Sequence, residues 1–173
     1  AMHLVRSGIT NILFCDPDYL SDHNLCRHAL LDKSVYKNKA SEMRSATNLI
    51  YYHETLKADA SCRGIKTILG DAEIMSKRTP DYLLDFTASK VAHNQLVNIR
   101  NRPTAISAAI FDNGKFGLLM SEGNNGEVRL DDVMAAFFAQ YKTDPIVSSY
   151  LMRGKELSRC LLYTSPSPRD MRR

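Results

Sequence analysis

The chain has 173 residues, 44% of them hydrophobic and 24% charged, with a formal net charge of +4. That composition fits a globular protein with a real core and excludes a fibrous or wholly disordered chain. No apolar run reaches the roughly 18–20 residues that would span a bilayer. The start, AMHLVRSG, also lacks the apolar core of a secretory leader, so no membrane partner and a cytoplasmic location are expected.

Residues 9–16, ITNILFCD, read as a strand that ends in Asp16-Pro17-Asp18. Ser21 follows as a helix N-cap, flanked by Leu20 and Leu25 as a hydrophobic staple. Leu25, Cys26, Ala29 and Leu30 form the stripe of a helix ending near Lys33. From residue 34 to 57 the period stays helical, with Tyr36, Ala40, Met43, Ala46, Ile50 and His53 on one face. After a break at residues 58–61, Ile65, Ile68, Leu69, Ala72 and Met75 repeat at helical spacing. Thr79-Pro80-Asp81 then supplies a capping hydroxyl, a first-position proline and a first-turn acid. The helix it predicts carries Leu84, Ala88, Val91, Gln95 and Ile99 and stops before Pro103.

Residues 104–122, TAISAAIFDNGKFGLLMSE, hold two apolar runs around Asn113-Gly114, the pair that a two-residue type I′ turn requires. The implied register sets Phe111 opposite Phe116, Ala109 opposite Leu118 and Ala108 opposite Leu119. Phe111, Phe116, Ala109, Leu118 and Met120 fall on one face; Ile106, Ile110 and Leu119 fall on the other, so both faces call for cover. A turn at residues 123–126 leads to a brief strand at 127–130. Asp131 or Asp132 caps a helix bearing Val133, Phe137 and Tyr141, and Asp144-Pro145 starts another that ends at Gly154. These elements predict an α+β fold, mainly helical, with a small antiparallel sheet built on the β-hairpin at 104–122. Strand 9–16 is expected to join it as a third strand.

The last residues need separate treatment. The string from Cys160 to Asp170, CLLYTSPSPRD, resembles a translated sequencing-library adapter. Residues 1–159 are therefore expected to be a single α+β domain, truncated at its C-terminus, and 160–173 a non-native tail. Without the tail the chain carries 20 basic and 18 acidic residues, a net charge of +2, which weakens a nucleic-acid argument from charge alone. Cys15, Cys26 and Cys62 then remain, none at CxxC spacing, so no zinc site is expected and reduced, mostly buried thiols are.

Two groups of residues carry the functional expectations. Asp16 and Asp18, with Asp22 nearby, offer oxygen ligands at a strand end, the donor type that Mg²⁺ prefers and that phosphoryl chemistry uses. Turn and helix capping explains the same acids without a metal. Lys37, Lys39, Arg44, Arg100 and Arg102 are the second group, able to contact phosphates with Tyr51 or Tyr52 for stacking if they converge. Solvated faces and helix-end electrostatics explain most of them as well. The histidines form no set, Gly154-Lys155 is not a P-loop, and Phe137, Phe138 and Tyr141 suggest an interface if they are not core.

NILFCDPD followed by a helix resembles the first strand of response-regulator receiver domains, and residues 80–85, PDYLLD, resemble their phosphoacceptor strand. The resemblance implies a metal held by Asp16 and Asp18 and phosphate accepted by Asp85. Phe86-Thr87-Ala88 replaces the turn usual in that family, and the helical stripe predicts Asp85 as an exposed helical residue. The leading functional expectation is a non-catalytic binding module contacting protein or nucleic acid, with no cofactor. The alternative is a Mg²⁺-dependent phosphoryl-handling or receiver-like signalling domain using Asp16 and Asp18.

Overall fold

Strand β1 (Leu13–Cys15) does not join the hairpin. A computed structural model of the chain pairs it in parallel with β2 (Asp59–Ser61), Phe14 facing Ala60. The structure describes every residue except 27, 52–57, 72, 75, 77–79, 88, 100, 112–115, 124, 125, 141, 154–158 and 161–173. The chain divides into two units, Ala1–Asp71 and Ala72–Arg173.

In the first unit, helix α1 (Met2–Arg6) precedes β1, and helix α2 (Lys39–Ile50) forms the crossover to β2. A parallel pair needs such a crossover, because a tight turn cannot return the chain in the same direction. Val5, Phe14, Leu20, Leu30, Ala40, Met43 and Ala58 make the core. Asn48 closes the far end of the crossover: its side chain accepts from Ala58 N at 2.9 Å and donates to Ala58 O at 3.2 Å. The helix expected after Ser21 is only a 3₁₀ turn, Asp22–Asn24, and a second 3₁₀ turn spans Asp32–Ser34. The helical expectation for residues 34–57 is met over α2, which starts where Asn38 caps it through Ser41 N at 3.0 Å; residues 52–57 lie outside the described residues. Helix α3 (Ile65–Leu69) closes the unit.

In the second unit β3 (Tyr82–Asp85) stands where the sequence predicts a helix. It pairs in parallel with β4 (Thr104–Phe111), and helix α4 (Lys90–Asn98), capped by Ser89, crosses between them. β4 also pairs antiparallel with β5 (Phe116–Ser121), in the register that the Asn113-Gly114 turn predicts; the turn itself lies outside the described residues. The strand expected at 127–130 is absent. Instead helix α5 (Leu130–Gln140) begins there, with Asp132 accepting from Arg129 N at 3.0 Å. Helix α6 (Pro145–Arg153) starts at the predicted Asp144-Pro145, and Arg159–Cys160 (β6) pairs with the end of β4.

The expected fold class is thus corrected. Among the described residues the protein has six α-helices and two sheets, one parallel and one mixed, rather than a mainly helical chain around one antiparallel hairpin. Two β–helix–β crossovers account for the difference. The expected cover on both faces of the hairpin is also corrected. Ala105, Met120 and Leu130 are buried together with Leu83, Val97, Leu118 and Val133, so α4 and α5 lie over the same face. On the opposite face Tyr82, Leu84 and Leu119 are exposed, Leu119 by 72%.

Candidate functional site

The carboxyl end of a parallel strand pair is where ligands enter open α/β sheets, because the strand-to-helix loops converge there. In the first unit that end is built around Asp16-Pro17-Asp18. Asp16 N donates to Ser61 O at 3.2 Å, carrying the ladder one residue past β1. Asp18 N then donates to Asp16 Oδ1 at 2.9 Å and bends the chain.

The bent segment runs back against residues 36–39. Lys39 N donates to Asp18 O at 3.0 Å, Leu20 N to Lys37 O at 2.9 Å and Tyr36 N to Leu20 O at 2.8 Å. Asn38 locks the arrangement: Nδ2 donates to Asp16 O at 2.8 Å and to Asp18 O at 3.1 Å, while Oδ1 caps α2. The acidic turn is therefore fixed to the first turn of a twelve-residue helix.

Lys39 occupies the first position of α2, and its side chain is only 8% exposed. Its Nζ reaches Asp18 Oδ2 at 3.3 Å, whereas the Asp18 carboxylate is 71% exposed. Burial raises the Asp16 carboxyl above its ordinary range, opposed by the hydrogen bond from Asp18 N and by the charge of Lys39. Cys62, one residue past β2, has its Sγ 3.8 Å from Oγ of Ser41, the third residue of α2. The arrangement presents two carboxylates and a buried ammonium at a helix N-terminus, a combination suited to a ligand with hydroxyl and phosphate groups.

Asp22 faces elsewhere. It accepts from the Tyr36 hydroxyl at 3.0 Å, and Tyr36 itself holds a left-handed backbone at φ 63°. No group of three or more His, Cys, Asp or Glu side chains gathers at metal-binding distance among the described residues. The cysteines differ from expectation: Cys15, Cys26 and Cys62 are reduced but exposed.

The basic residues divide between the units. Lys37 is exposed, Lys39 is buried, and Arg44 is exposed with Asp59 at 3.9 Å. Arg100 lies outside the described residues, as do Tyr52, His53 and Tyr141. Arg102, in the second unit, is 3% exposed and holds Glu122 through two bonds of 2.6 Å. Tyr51 packs against the first core, and Phe137 stacks on Phe116 with ring centres 5.9 Å apart, while Phe138 is exposed.

No protein-family model matches the chain, and no significant relative is found among curated proteins. No helix among the described residues is long and apolar enough to cross a membrane.

Asp85 also corrects the sequence reading. It ends β3 and is buried, not exposed on a helix. Oδ1 accepts from Thr87 N at 3.0 Å and Thr87 Oγ1 at 2.7 Å, and Oδ2 accepts from Ser107 Oγ at 3.3 Å. Those bonds make it the anchor of the loop into α4. Sequence reasoning missed Asn38 and Glu122 altogether. The signal for Asn38 was local: an amide three residues before Ser41, ahead of the apolar stripe from Ala40, is an N-cap pattern. Glu122 had no local signal, because its partners come from residues 102, 105 and 130.

Proposed function

We propose that the first unit binds a phosphorylated ribonucleoside, with Mg²⁺, at the carboxyl end of β1. The observation that carries this reading is the turn of Asp16 and Asp18, held by Asn38 against the N-terminus of α2 beside buried Lys39. A carboxylate at such a strand end suits ribose hydroxyls, and a helix N-terminus with a lysine suits phosphate. On this reading Asp16 accepts from the ribose. Lys39 exchanges Asp18 for a phosphate oxygen, and the solvent-facing Asp18 carboxylate turns to Mg²⁺.

Calorimetric titration with ATP, ADP and AMP, each with and without Mg²⁺, tests it. Asp16→Asn, which keeps the shape of the side chain, is expected to weaken binding by about 10- to 100-fold, the loss of a hydrogen bond to a charged acceptor. Absence of binding by all three nucleotides, or equal binding by Asp16→Asn, would overturn the proposal.

A second reading, contact with a protein, is favoured by the open face of the mixed sheet, where Tyr82, Leu84 and Leu119 are exposed. A nucleic-acid role draws less support, since Arg102 is buried on Glu122 and belongs to the second unit, whereas Lys37, Lys39 and Arg44 belong to the first.

A further inference from the structure

The mixed sheet runs β3-β4-β5, and its two outer strands are built differently. β3 has four residues, with Asp81 just ahead of it and Asp85 at its end. A short strand bracketed by acids is one protection against edge-to-edge pairing. β5 has six residues, FGLLMS, with no charge, no proline and no bulge in its register with β4.

The backbone of β5 divides by side. Glu122 N donates to Ala105 O at 3.0 Å. By alternation Phe116, Leu118 and Met120 also turn their N–H and C=O groups to β4, and Gly117, Leu119 and Ser121 turn theirs away from it. Among the described residues no strand pairs with that outer side. Gly117, Leu119 and Ser121 are also the exposed residues of the strand, whereas Leu118 and Met120 belong to the core.

An edge of this kind takes an extended strand, because its donors and acceptors alternate at strand spacing. The best match on the page is β5 itself. The outward groups lie symmetrically about Leu119. A second copy turned about a two-fold axis therefore sets Leu119 against Leu119 and Gly117 against Ser121, and each facing pair exchanges both bonds. With no charge between Phe116 and Ser121, the match opposes no like charges. It also lays the two exposed Leu119 side chains against each other.

We propose that two copies of the chain pair antiparallel through β5 into one continuous sheet, with Leu119 on the two-fold axis. Such a contact is isologous and closes on itself. Confined to one strand from each copy, it buries less than roughly 1,200 Å², the class of weak and transient interfaces. The monomer therefore prevails at the concentration of about 5 µM used in an unfolding assay. The pairing is independent of the nucleotide reading of the first unit.

The test uses the full chain. Sedimentation velocity from about 20 to 500 µM should show monomer passing into dimer with a Kd of about 100 µM. Across that range the amides of Gly117, Leu119 and Ser121 should exchange with deuterium about threefold more slowly, in proportion to the monomer that remains. Leu119→Lys sets two ammonium groups against each other and should weaken association at least about tenfold. Leu84→Lys, at an exposed position of the same face but on β3, should leave Kd within about twofold. The exchange measurement needs no variant, so it decides the matter even where Leu119→Lys does not fold. A chain that stays monomeric throughout that range, assembly beyond a dimer, or unchanged exchange at those three amides would overturn the proposal. So would an equal loss in Leu84→Lys and Leu119→Lys, which would set the copies face to face.

Discussion

Glu122→Gln should be the most damaging near-isosteric change in the second unit. The native carboxylate accepts four hydrogen bonds: two from Arg102 at 2.6 Å each, one from Ala105 N at 2.9 Å and one from Leu130 N at 3.0 Å. It thereby joins the loop before β4, the first residues of β4 and the start of α5. A glutamine retains one oxygen and turns its amide nitrogen toward two donors. Whichever way it flips, one backbone N–H and one guanidinium N–H lose their acceptor inside the fold. A buried N–H left unsatisfied costs about 1–3 kcal/mol, and an arginine left with an uncompensated buried charge about 3–5 kcal/mol. The two overlap, so a total loss of about 4 kcal/mol is expected, a large share of the roughly 5–15 kcal/mol of a typical domain. Urea unfolding followed by far-ultraviolet circular dichroism reads it directly. A loss below about 1 kcal/mol would refute the reasoning, since it would mean that water satisfies those donors in place of Glu122.

The same carboxylate sets a pH dependence. Burial alone would raise its pKa, but the bonds from Arg102, Ala105 N and Leu130 N hold it down at about 2, against 4.5 for an ordinary glutamate. Below pH 4.5 the unfolded chain takes up a proton that the folded chain refuses. The stabilisation is therefore complete above about pH 5 and is lost as pH falls toward 2, by up to about 3 kcal/mol. Glu122→Gln should flatten that slope.

Three further outcomes are expected. At Tyr36, where φ is 63°, glycine should be more stable than valine by about 1–2 kcal/mol, because a β-branched residue tolerates the left-handed region poorly; equal urea midpoints would contradict this. Asp85→Ala should cost about 1–3 kcal/mol by stripping Thr87 N of its acceptor, and Asp85→Asn should recover part of the loss in the same assay. Leu119→Lys should change thermal stability by no more than about 0.5 kcal/mol, as expected for a residue on an open sheet face; a larger loss would show that the face is covered.

What the sequence discloses and what it hides follow from the range of the forces involved. The register of β4 and β5 is legible because Asn113-Gly114 fixes it locally, and the start of α6 is legible because Asp144-Pro145 is a local signal. The β3 strand is not. Thr79-Pro80-Asp81 has the chemistry of a helix start, and Leu84, Val91 and Ile99 happen to fit a helical period. Pairing with β4, twenty-two residues away in the register Leu83–Ala105, overrides both signals. The partner of β1 is hidden for the same reason, since the DAS of β2 has no apolar alternation of its own. At the candidate site the acids are legible as chemistry, whereas the fixing of their turn by Asn38, 20 and 22 residues along the chain, is not.

That fixing has a kinetic corollary. One amide side chain grips two carbonyls of the acidic turn with its nitrogen and the first turn of α2 with its oxygen. The turn cannot open without fraying the helix, so the amides of Lys39 and Ser41 should exchange with solvent deuterium as a single cooperative event. Any molecule that settles onto the turn should then slow exchange at both positions together, making the helix terminus a reporter of occupancy several bonds from where contact is made.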